Sequence, residues 1–276
     1  MLDIINIWTN IRVSIIIIGH LAGDSRVTRV TVRHQSTYGW RAKIGLIVPP
    51  TNTVNESEWR LAVPDGVSFH THRMVLHDDI GSDGGRARLD RDLDRAFAML
   101  LPAAPDVIAY ACTAGSMVQP VESLPCSLSE RHGVEAVTTS AAIVAALRSF
   151  RAVRLSVATP YGDTLNAHEV AFLEAHGFRV ERICGLGIGE GGPWEFPLIA
   201  RTGIEDVRAH ARIAFAPQSE ALLLLCTDFP TQSLIGALEA ELDVPVVTSN
   251  QATLWACLRA AGLDDAPAAL GRLADQ

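Results

Sequence analysis

An internal repeat constrains the fold of this chain more than any other feature of its sequence. Three pairs of segments recur in the same order and at a nearly constant offset: KIGLIVP (43–49) with RLSVATP (154–160), IAYACTAG (108–115) with LLLLCTDF (222–229), and VTTSAA (137–142) with VTSNQA (247–252). Such a repeat predicts two similar halves, residues 41–150 and 151–250. A final helix within 250–276 is expected to cross back onto the first half.

The segments between the repeats indicate the fold class. Short β-branched runs predict strands at 44–48, 67–75, 106–111, 134–138, 153–158, 179–183, 221–226 and 244–248, and amphipathic stretches lie between several of them. Alternation of strands and helices is typical of an α/β fold with parallel sheets. We therefore expect two Rossmann-like halves, each a parallel sheet flanked by helices, related by a pseudo-two-fold axis.

Residues 1–40 are predicted to form a poorly ordered N-terminal extension before the fold begins near Trp40. The apolar run at 13–18 is far shorter than the roughly 20 residues that a membrane helix requires, so we expect no membrane association. A secretory signal is the alternative, although the residues before this run include Asp3 and only one basic residue, Arg12.

Charge and composition exclude several classes of function. The formal net charge of -8 disfavours a nucleic-acid partner, because phosphate contacts need a basic surface. Lys43 is the single lysine, which argues against Schiff-base or pyridoxal-phosphate chemistry. The five cysteines are odd in number and form no C-x-x-C pair, so reduced thiols in a cytoplasmic protein are the expectation.

Two of the cysteines occupy equivalent positions in the repeat. Cys112 and Cys226 each end an apolar strand and precede a turn into a helix, where free backbone N–H groups are expected to lower the pKa of a thiol and to hold anions. Ligands of parallel α/β sheets bind at this edge. We therefore expect the two sulfurs to face one cleft, with Cys126, Cys184 and Cys257 serving only in packing.

Several motifs resemble those of a known group of enzymes. They are IGLIVPPTN (44–52), YACTAGSMV (110–118), VATPY (157–161), CTDFP (226–230) and VVTSNQATLWACLRAAG (246–262). Together they resemble the aspartate/glutamate racemase superfamily, which works without pyridoxal phosphate. Within it, they are most similar to maleate cis-trans isomerase and arylmalonate decarboxylase, over about residues 41–276.

The resemblance implies a site and a reaction. Cys112 would be the nucleophile that adds to the double bond of maleate, and Cys226 the acid that protonates the neighbouring carbon, giving fumarate with no metal or cofactor. The substrate would be a small carboxylic acid, and the protein a homodimer. The implied substrate-binding residues are Asn52, Thr113, Ala114, Tyr161 and Thr227. From the residues alone, Asn52 could instead cap a turn and the Tyr161 hydroxyl could anchor a loop.

The sequence departs from the isomerase pattern at two places. The segment GLGIGEGGPWEF (185–196) lacks the asparagine that the isomerases have there, and Asp228 would repel a dicarboxylate if it faced the cleft. The alternatives are a racemase of aspartate or glutamate, an arylmalonate-type decarboxylase and a non-catalytic acid-binding protein. The decarboxylases have a single working cysteine, so the presence of both favours an isomerase or a racemase.

Two further patterns are weaker. His70, His72 and His77 could suggest a metal, but no H-E-x-x-H motif accompanies them and a polar strand face explains them better. The glycine run GLGIGEGG (185–192) does not match a dinucleotide-binding loop followed by a helix, and we interpret it as a flexible loop or lid over the cleft.

Overall fold

The computed structural model describes residues 13–16, 29–77 and 82–276. Residues 1–12 and 17–28, which make up most of the predicted extension, lie outside the described residues. Within the extension, β1 (Val13–Ile16) pairs antiparallel with β2 (Arg29–Val32). Farther along, the His34 side chain lies 2.8 Å from Asp106 and so contacts the first half.

The described residues form two four-stranded parallel sheets. The first has the order β4–β3–β5–β6 and the second the order β8–β7–β9–β10. The strands are β3 (Ala42–Val48), β4 (Val67–Arg73), β5 (Val107–Tyr110), β6 (Glu135–Thr138), β7 (Arg154–Tyr161), β8 (Arg179–Ile188), β9 (Ala221–Leu224) and β10 (Val246–Thr248). These strands match the predicted ones, and the predicted α/β fold of two similar halves is confirmed.

Helices cover the faces of both sheets. They are α1 (Asn55–Ala62), α2 (Asp83–Leu100), α3 (Thr113–Ser116), α4 (Ser123–His132), α5 (Thr139–Ser149), α6 (Asp163–Ala175), α7 (Ile204–Ala214), α8 (Ile235–Leu242) and α9 (Ser249–Ala260). Short 3-10 helices at Leu101–Ala103, Pro193–Arg201, Gln232–Leu234 and Ala268–Asp275 complete the chain. In the part of the chain that the structure describes, no helix combines the length and the apolar character needed to cross a bilayer.

The two sheets follow the same path through their halves. In each, the first strand lies between the second and the third, and the fourth pairs with the third. The threonines Thr138 and Thr248, which are equivalent in the repeat, cap α5 and α9 with their side chains. The central strands β5, with the sequence VIAY, and β9, with the sequence ALLL, are buried along their whole length. The chain leaves both strands at equivalent points, which places Cys112 and Cys226 in corresponding positions.

Helix α9 follows the last strand of the second half but packs against the first. Its Asn250 carbonyl accepts a hydrogen bond of 3.0 Å from the Trp59 indole N–H of α1. Its Thr253 hydroxyl lies 3.0 Å from that of Thr139 in α5. The halves therefore share one buried core, and the boundaries at residues 150 and 250 remain a prediction.

Strand β8 is longer than its predicted range of 179–183. It runs to Ile188 because its pairing with β7 continues to Tyr161. The interpretation of 185–192 as a loop is therefore wrong for the first four residues, since Gly185 to Ile188 belong to the sheet. The glycines after Ile188 turn around Glu195, whose carboxylate accepts from the N–H groups of Gly189 at 2.8 Å and Gly191 at 3.1 Å.

Candidate active site

A small cavity of about 80 Å³ lies at the carboxyl ends of the two sheets. All seven residues that the sequence predicts for the site line it: Asn52, Cys112, Thr113, Ala114, Tyr161, Cys226 and Thr227. The remaining lining residues are Pro49, Thr51, Leu76, Leu165, Phe196, Ile199 and Asp228. Both halves contribute to the cavity, so a ligand inside it would contact both cysteine loops.

Cys112 lies between the buried end of β5 and the start of α3 and is 6% exposed. Burial raises the pKa of its thiol, while hydrogen bonds from the Gly115 N–H and the Tyr110 hydroxyl act in the opposite direction. The expected N–H donor is therefore present, but the prediction of a lowered pKa for the Cys112 thiol is wrong. Removal of the thiol from water costs more than these two hydrogen bonds recover.

Cys226 sits in a more constrained environment. Its φ of 115° falls in a region that non-glycine residues rarely adopt, and its N–H donates to the Ser249 hydroxyl at 3.0 Å. The Asp228 N–H donates to its Sγ at 3.4 Å. Burial raises the pKa of the Cys226 thiol to about 12, against opposing hydrogen bonds from the Tyr161 hydroxyl and the Asp228 N–H. This thiol therefore holds its proton at neutral pH.

Asn52 has a structural task as well as a place in the cavity. Its Oδ1 accepts from the N–H groups of Val54 at 3.2 Å and Asn55 at 3.0 Å, so the expected turn-capping role is present. Its Nδ2 donates to the Thr227 hydroxyl at 3.1 Å, which joins the loops of the two halves. One amide hydrogen of Asn52 remains available for a ligand oxygen.

The start of α3 presents backbone donors to the cavity. Thr113 and Ala114 are the first residues of this helix, and the N–H groups of a first helical turn have no partner within the helix. The Thr113 hydroxyl does not face an open position, because it lies 2.9 Å from the hydroxyl of Ser249. Anionic ligand groups at this point would meet N–H dipoles rather than a side-chain cation.

Tyr161 is 5% exposed, and its hydroxyl bonds to the Cys226 thiol. Burial raises the pKa of the Tyr161 phenol well above its ordinary value, so the hydroxyl stays a donor. Cys226 lies in the loop after β9, so this contact fits both interpretations from sequence, a ligand donor and a loop anchor.

Asp228 lines the cavity, the position in which its charge would repel a dicarboxylate. Its Oδ1 accepts from the N–H groups of Thr53 at 2.7 Å and Val54 at 3.2 Å, so it fixes the start of α1 to the second half. Its Oδ2 is buried and has no hydrogen-bond partner among the described residues. Burial raises the pKa of this carboxyl to about 6, with the two N–H groups and Arg73 opposing.

The wall formed by the second half is apolar. Leu165 of α6 and Phe196 and Ile199 of the 3-10 helix after β8 line the cavity there. The segment 185–196 thus contributes a phenyl ring where the resemblance implies an asparagine. Within the described lining, no amide from this segment replaces it.

Three residues at or near the site escaped the sequence reasoning. Tyr110 stands two positions before Cys112, Ser249 begins α9, and Glu169 is buried on α6. The repeat itself could have indicated Ser249, since it belongs to the segment VTSNQA. Nothing in the sequence separates Tyr110 from an ordinary strand residue or Glu169 from an exposed helical carboxylate.

Two of the three histidines that the sequence singles out, one in β4 and one in the loop after it, contact protein groups. His70 lies 3.1 Å from the Ser68 hydroxyl, and His77 lies 3.1 Å from Asp92. Across residues 29–77 and 82–276, no group of three or more His, Cys, Asp or Glu side chains is placed to hold a metal ion. Asp78 and Asp79, which the sequence sets beside His77, lie outside the described residues.

Proteins of known activity resemble this chain over most of its length. The maleate isomerase of Nocardia farcinica (strain IFM 10152) is 31% identical over 247 residues, which cover 85% of this chain and 96% of that protein. The arylmalonate decarboxylase of Bordetella bronchiseptica is 28% identical over 222 residues, 79% of this chain and 90% of that protein.

A solved structure agrees with these relatives. It is a Nocardia farcinica maleate cis-trans isomerase, a cysteine-to-serine mutant with a covalently bound succinylcysteine intermediate. Its TM-score is 0.74 at 27% identity, and the match covers 84% of this chain and 98% of that one. The family model described as arylmalonate decarboxylase matches residues 44–274. The resemblance predicted from the motifs is confirmed, and the chain belongs to the arylmalonate decarboxylase family.

Proposed function

We propose that this protein is a cofactor-independent isomerase that converts maleate to fumarate with Cys112 and Cys226. The observation that carries the proposal is the position of the two thiols, which line one small cavity from equivalent points of the two halves. The relatives named maleate isomerase and the succinylcysteine of the solved structure support the same chemistry.

The reaction begins with the Cys112 thiolate adding to one alkene carbon of maleate. A C–S bond forms, and the π electron pair moves onto the neighbouring carbon and its carboxylate. The Cys226 thiol then gives its proton to that neighbouring carbon, leaving a succinyl group on Cys112. The former double bond is now single, so it rotates. Cys226 takes a proton back, the C–S bond breaks, and fumarate leaves with the Cys112 thiolate restored.

The polar lining would hold the two carboxylates. The free amide hydrogen of Asn52 and the first N–H groups of α3, at Thr113 and Ala114, are the donors on the side of Cys112. Thr227 and the Tyr161 hydroxyl stand on the side of Cys226. Donors fixed in advance stabilise the charge that develops on the carboxylate during addition, at no cost of reorganisation.

The two-cysteine arrangement favours isomerisation over decarboxylation. A decarboxylase of the arylmalonate type needs one thiol to protonate its product, and here a second lines the same cavity. The racemase alternative has one lining residue in its favour. Its substrate carries an ammonium group, which a carboxylate could bind, and Asp228 is the single carboxylate among the described lining residues.

We also propose a cytoplasmic location and a homodimer. Five cysteines without a disulfide among the described residues fit a reducing compartment. The homodimer follows from the family resemblance, and sedimentation velocity of the purified protein would test it.

The proposed activity is tested by following maleate and fumarate by proton NMR. We expect the wild-type protein to convert maleate, and Cys112→Ala or Cys226→Ala to lower the rate by at least about a thousandfold. The control is Cys126→Ala, which changes an exposed thiol on α4 and should leave the rate unaltered. In Cys226→Ser, intact-mass spectrometry should find a succinyl adduct on Cys112. Turnover within a few-fold of wild type in either cavity variant would refute the mechanism.

A further inference from the structure

The repeat gives the two cysteine loops the same Cys-Thr pair but different residues after it. Aligning IAYACTAG with LLLLCTDF pairs Cys112 with Cys226 and Thr113 with Thr227. The next pair is Ala114 and Asp228. Both line the cavity, so one loop carries a methyl group where the other carries a carboxyl group.

The Asp228 carboxyl group is held in place beside Cys226. Its own N–H donates to Cys226 Sγ at 3.4 Å, and its Oδ1 is fixed by the N–H groups of Thr53 and Val54. The residue is 6% exposed, and its Oδ2 makes no hydrogen bond within the described part of the chain. A buried carboxylate with one unpaired oxygen projects its charge over its neighbours with little screening.

We propose that Asp228 is a positioning residue that gives the two cysteines different roles, because its negative charge adds to the burial that keeps Cys226 in the thiol form. Ala114 places no such charge beside Cys112, which is left to ionise and act as the nucleophile. The assignment of nucleophile and acid roles rests on the proposed function. The unequal ionisation of two thiols at equivalent positions of the repeat is measurable without turnover.

Other charged and titratable groups near the two sulfurs do not supply this difference. Cys226 faces the Tyr161 phenol of β7, the Cys112 thiol of the opposite loop and Asp228. Cys112 faces the Tyr110 phenol of β5 and, farther away, Glu169 of α6. Each thiol therefore has one tyrosine hydroxyl and one backbone N–H as donors. Of the two carboxyl groups, Asp228 acts on Cys226 and keeps the lower pKa, at about 6 against about 8 for Glu169.

The charge state of Asp228 suits this role at neutral pH. Burial raises its pKa to about 6, while the N–H groups of Thr53 and Val54 and the more distant Arg73 favour the carboxylate. Above that pH the group is an anion, and an anion beside a thiol disfavours loss of the thiol proton. A Cys226 thiolate formed during the reaction would for the same reason be a strong base and would take its proton back readily.

The experiment measures the ionisation of each thiol separately. In a Cys112→Ala background, the rate of Cys226 alkylation by iodoacetamide is followed against pH by peptide mass spectrometry, with and without Asp228→Asn. Asparagine keeps the acceptor for Thr53 and Val54 and removes the charge. We expect the midpoint of alkylation to fall by about one pH unit, which is about a tenfold faster reaction below the midpoint.

The mirror variant completes the test. In a Cys226→Ala background, Ala114→Asp should slow alkylation of Cys112 about tenfold at a fixed pH. Thermal melts establish that each variant is folded. Unchanged midpoints in folded variants of both kinds would overturn the inference, whether or not the wild-type protein isomerises maleate. Absence of isomerisation by the wild type, with the expected shifts in alkylation, would refute the proposed function alone.

Discussion

The hydroxyl of Ser249 lies 2.9 Å from that of Thr113, the residue that follows the first cavity cysteine. The same Ser249 oxygen accepts the N–H of Cys226 at 3.0 Å. One side chain at the start of α9 thus touches both cysteine loops. Because α9 packs on the first half and follows the last strand of the second, this contact sets the two loops at a fixed separation.

Replacing Ser249 with alanine should therefore damage activity more than stability. The Cys226 N–H would lose its partner while its backbone stays in a strained conformation. We expect maleate isomerisation to fall by at least about thirtyfold in kcat, with a loss of about 1–3 kcal/mol in the free energy of unfolding. Steady-state kinetics and urea denaturation measure the two effects.

Ser156→Ala is the matched control for that variant. Ser156 is also fully buried, its hydroxyl lies 2.7 Å from that of Ser219, and it accepts the Ala216 N–H at 2.8 Å, away from the cysteines. We expect a similar loss of stability with near wild-type kcat. Equal kcat values in the two variants would mean that Ser249 is only a packing residue.

The fold could be predicted from the sequence because the strand patterns and the internal repeat indicate the same two sheets. Strands β5 and β9 are short apolar runs followed by Cys-Thr, and this repetition alone indicates two equivalent sheets. The extent of β8 could not be predicted, since Gly185 has no strand preference of its own. Pairing with β7 decides it, and the absent side chain allows Tyr161 and Asn166 to approach closely.

The candidate site was predictable where residues follow strand ends and unpredictable where contacts cross between halves. Asn52, Cys112 and Cys226 each follow a repeated strand, so topology places them together. The tie of Asp228 to the backbone of Thr53 joins residues 175 positions apart in the sequence. The spacing of residues in the sequence does not indicate such a contact. Nor does it indicate how deeply Cys112 is buried, and this burial raises the pKa of the thiol instead of lowering it.

Glycine is required at position 115 because the space beside Cys112 is too small for a side chain. A Cβ at this position would lie 2.5 Å from the Tyr110 hydroxyl and 2.8 Å from Cys112 Sγ. Gly115→Ala should push both groups away from their present positions and lower kcat/KM for maleate by at least about a hundredfold. The control is Gly236→Ala on α8, where an added Cβ meets nothing within 4 Å and should leave the kinetics unchanged. A Gly115→Ala variant as active as the control would exclude this crowding.

Asn52→Asp separates the two tasks of that side chain. Aspartate keeps an acceptor for the N–H groups of Val54 and Asn55, so the turn that precedes α1 should survive. It replaces the amide donor by an anion that faces the substrate carboxylate. We expect the melting temperature to change little and KM for maleate to rise by at least about tenfold. A larger effect on melting than on KM would assign Asn52 to capping alone.

The pH dependence of the proposed reaction should reflect the burial of Cys112, its proposed nucleophile. Burial raises the pKa of Cys112, so its thiolate is a minor species at neutral pH and increases with pH. We expect kcat/KM for maleate to rise by up to about tenfold per pH unit between about pH 7 and 9. Loss of the proton from the proposed acid, Cys226, does not limit this range, because burial raises the pKa of Cys226 to about 12. A flat or falling profile over this interval would contradict addition by Cys112.

Glu169 should lower the stability of the protein as pH rises. Its two carboxyl oxygens are buried without hydrogen-bond partners in the described residues, and burial raises its pKa from 4.5 to about 8. Between these values the unfolded chain has lost a proton that the folded chain still holds, so folding becomes less favourable by at most about 1.4 kcal/mol per pH unit. Glu169→Met removes the titrating group and should increase the free energy of unfolding by at least about 2 kcal/mol at pH 8 relative to wild type, with much less gain near pH 5. Urea denaturation at both pH values measures this, and the exposed Glu174→Met on the same helix should give no such difference. A gain that is equal at the two pH values would mean that packing, and not the proton, is responsible.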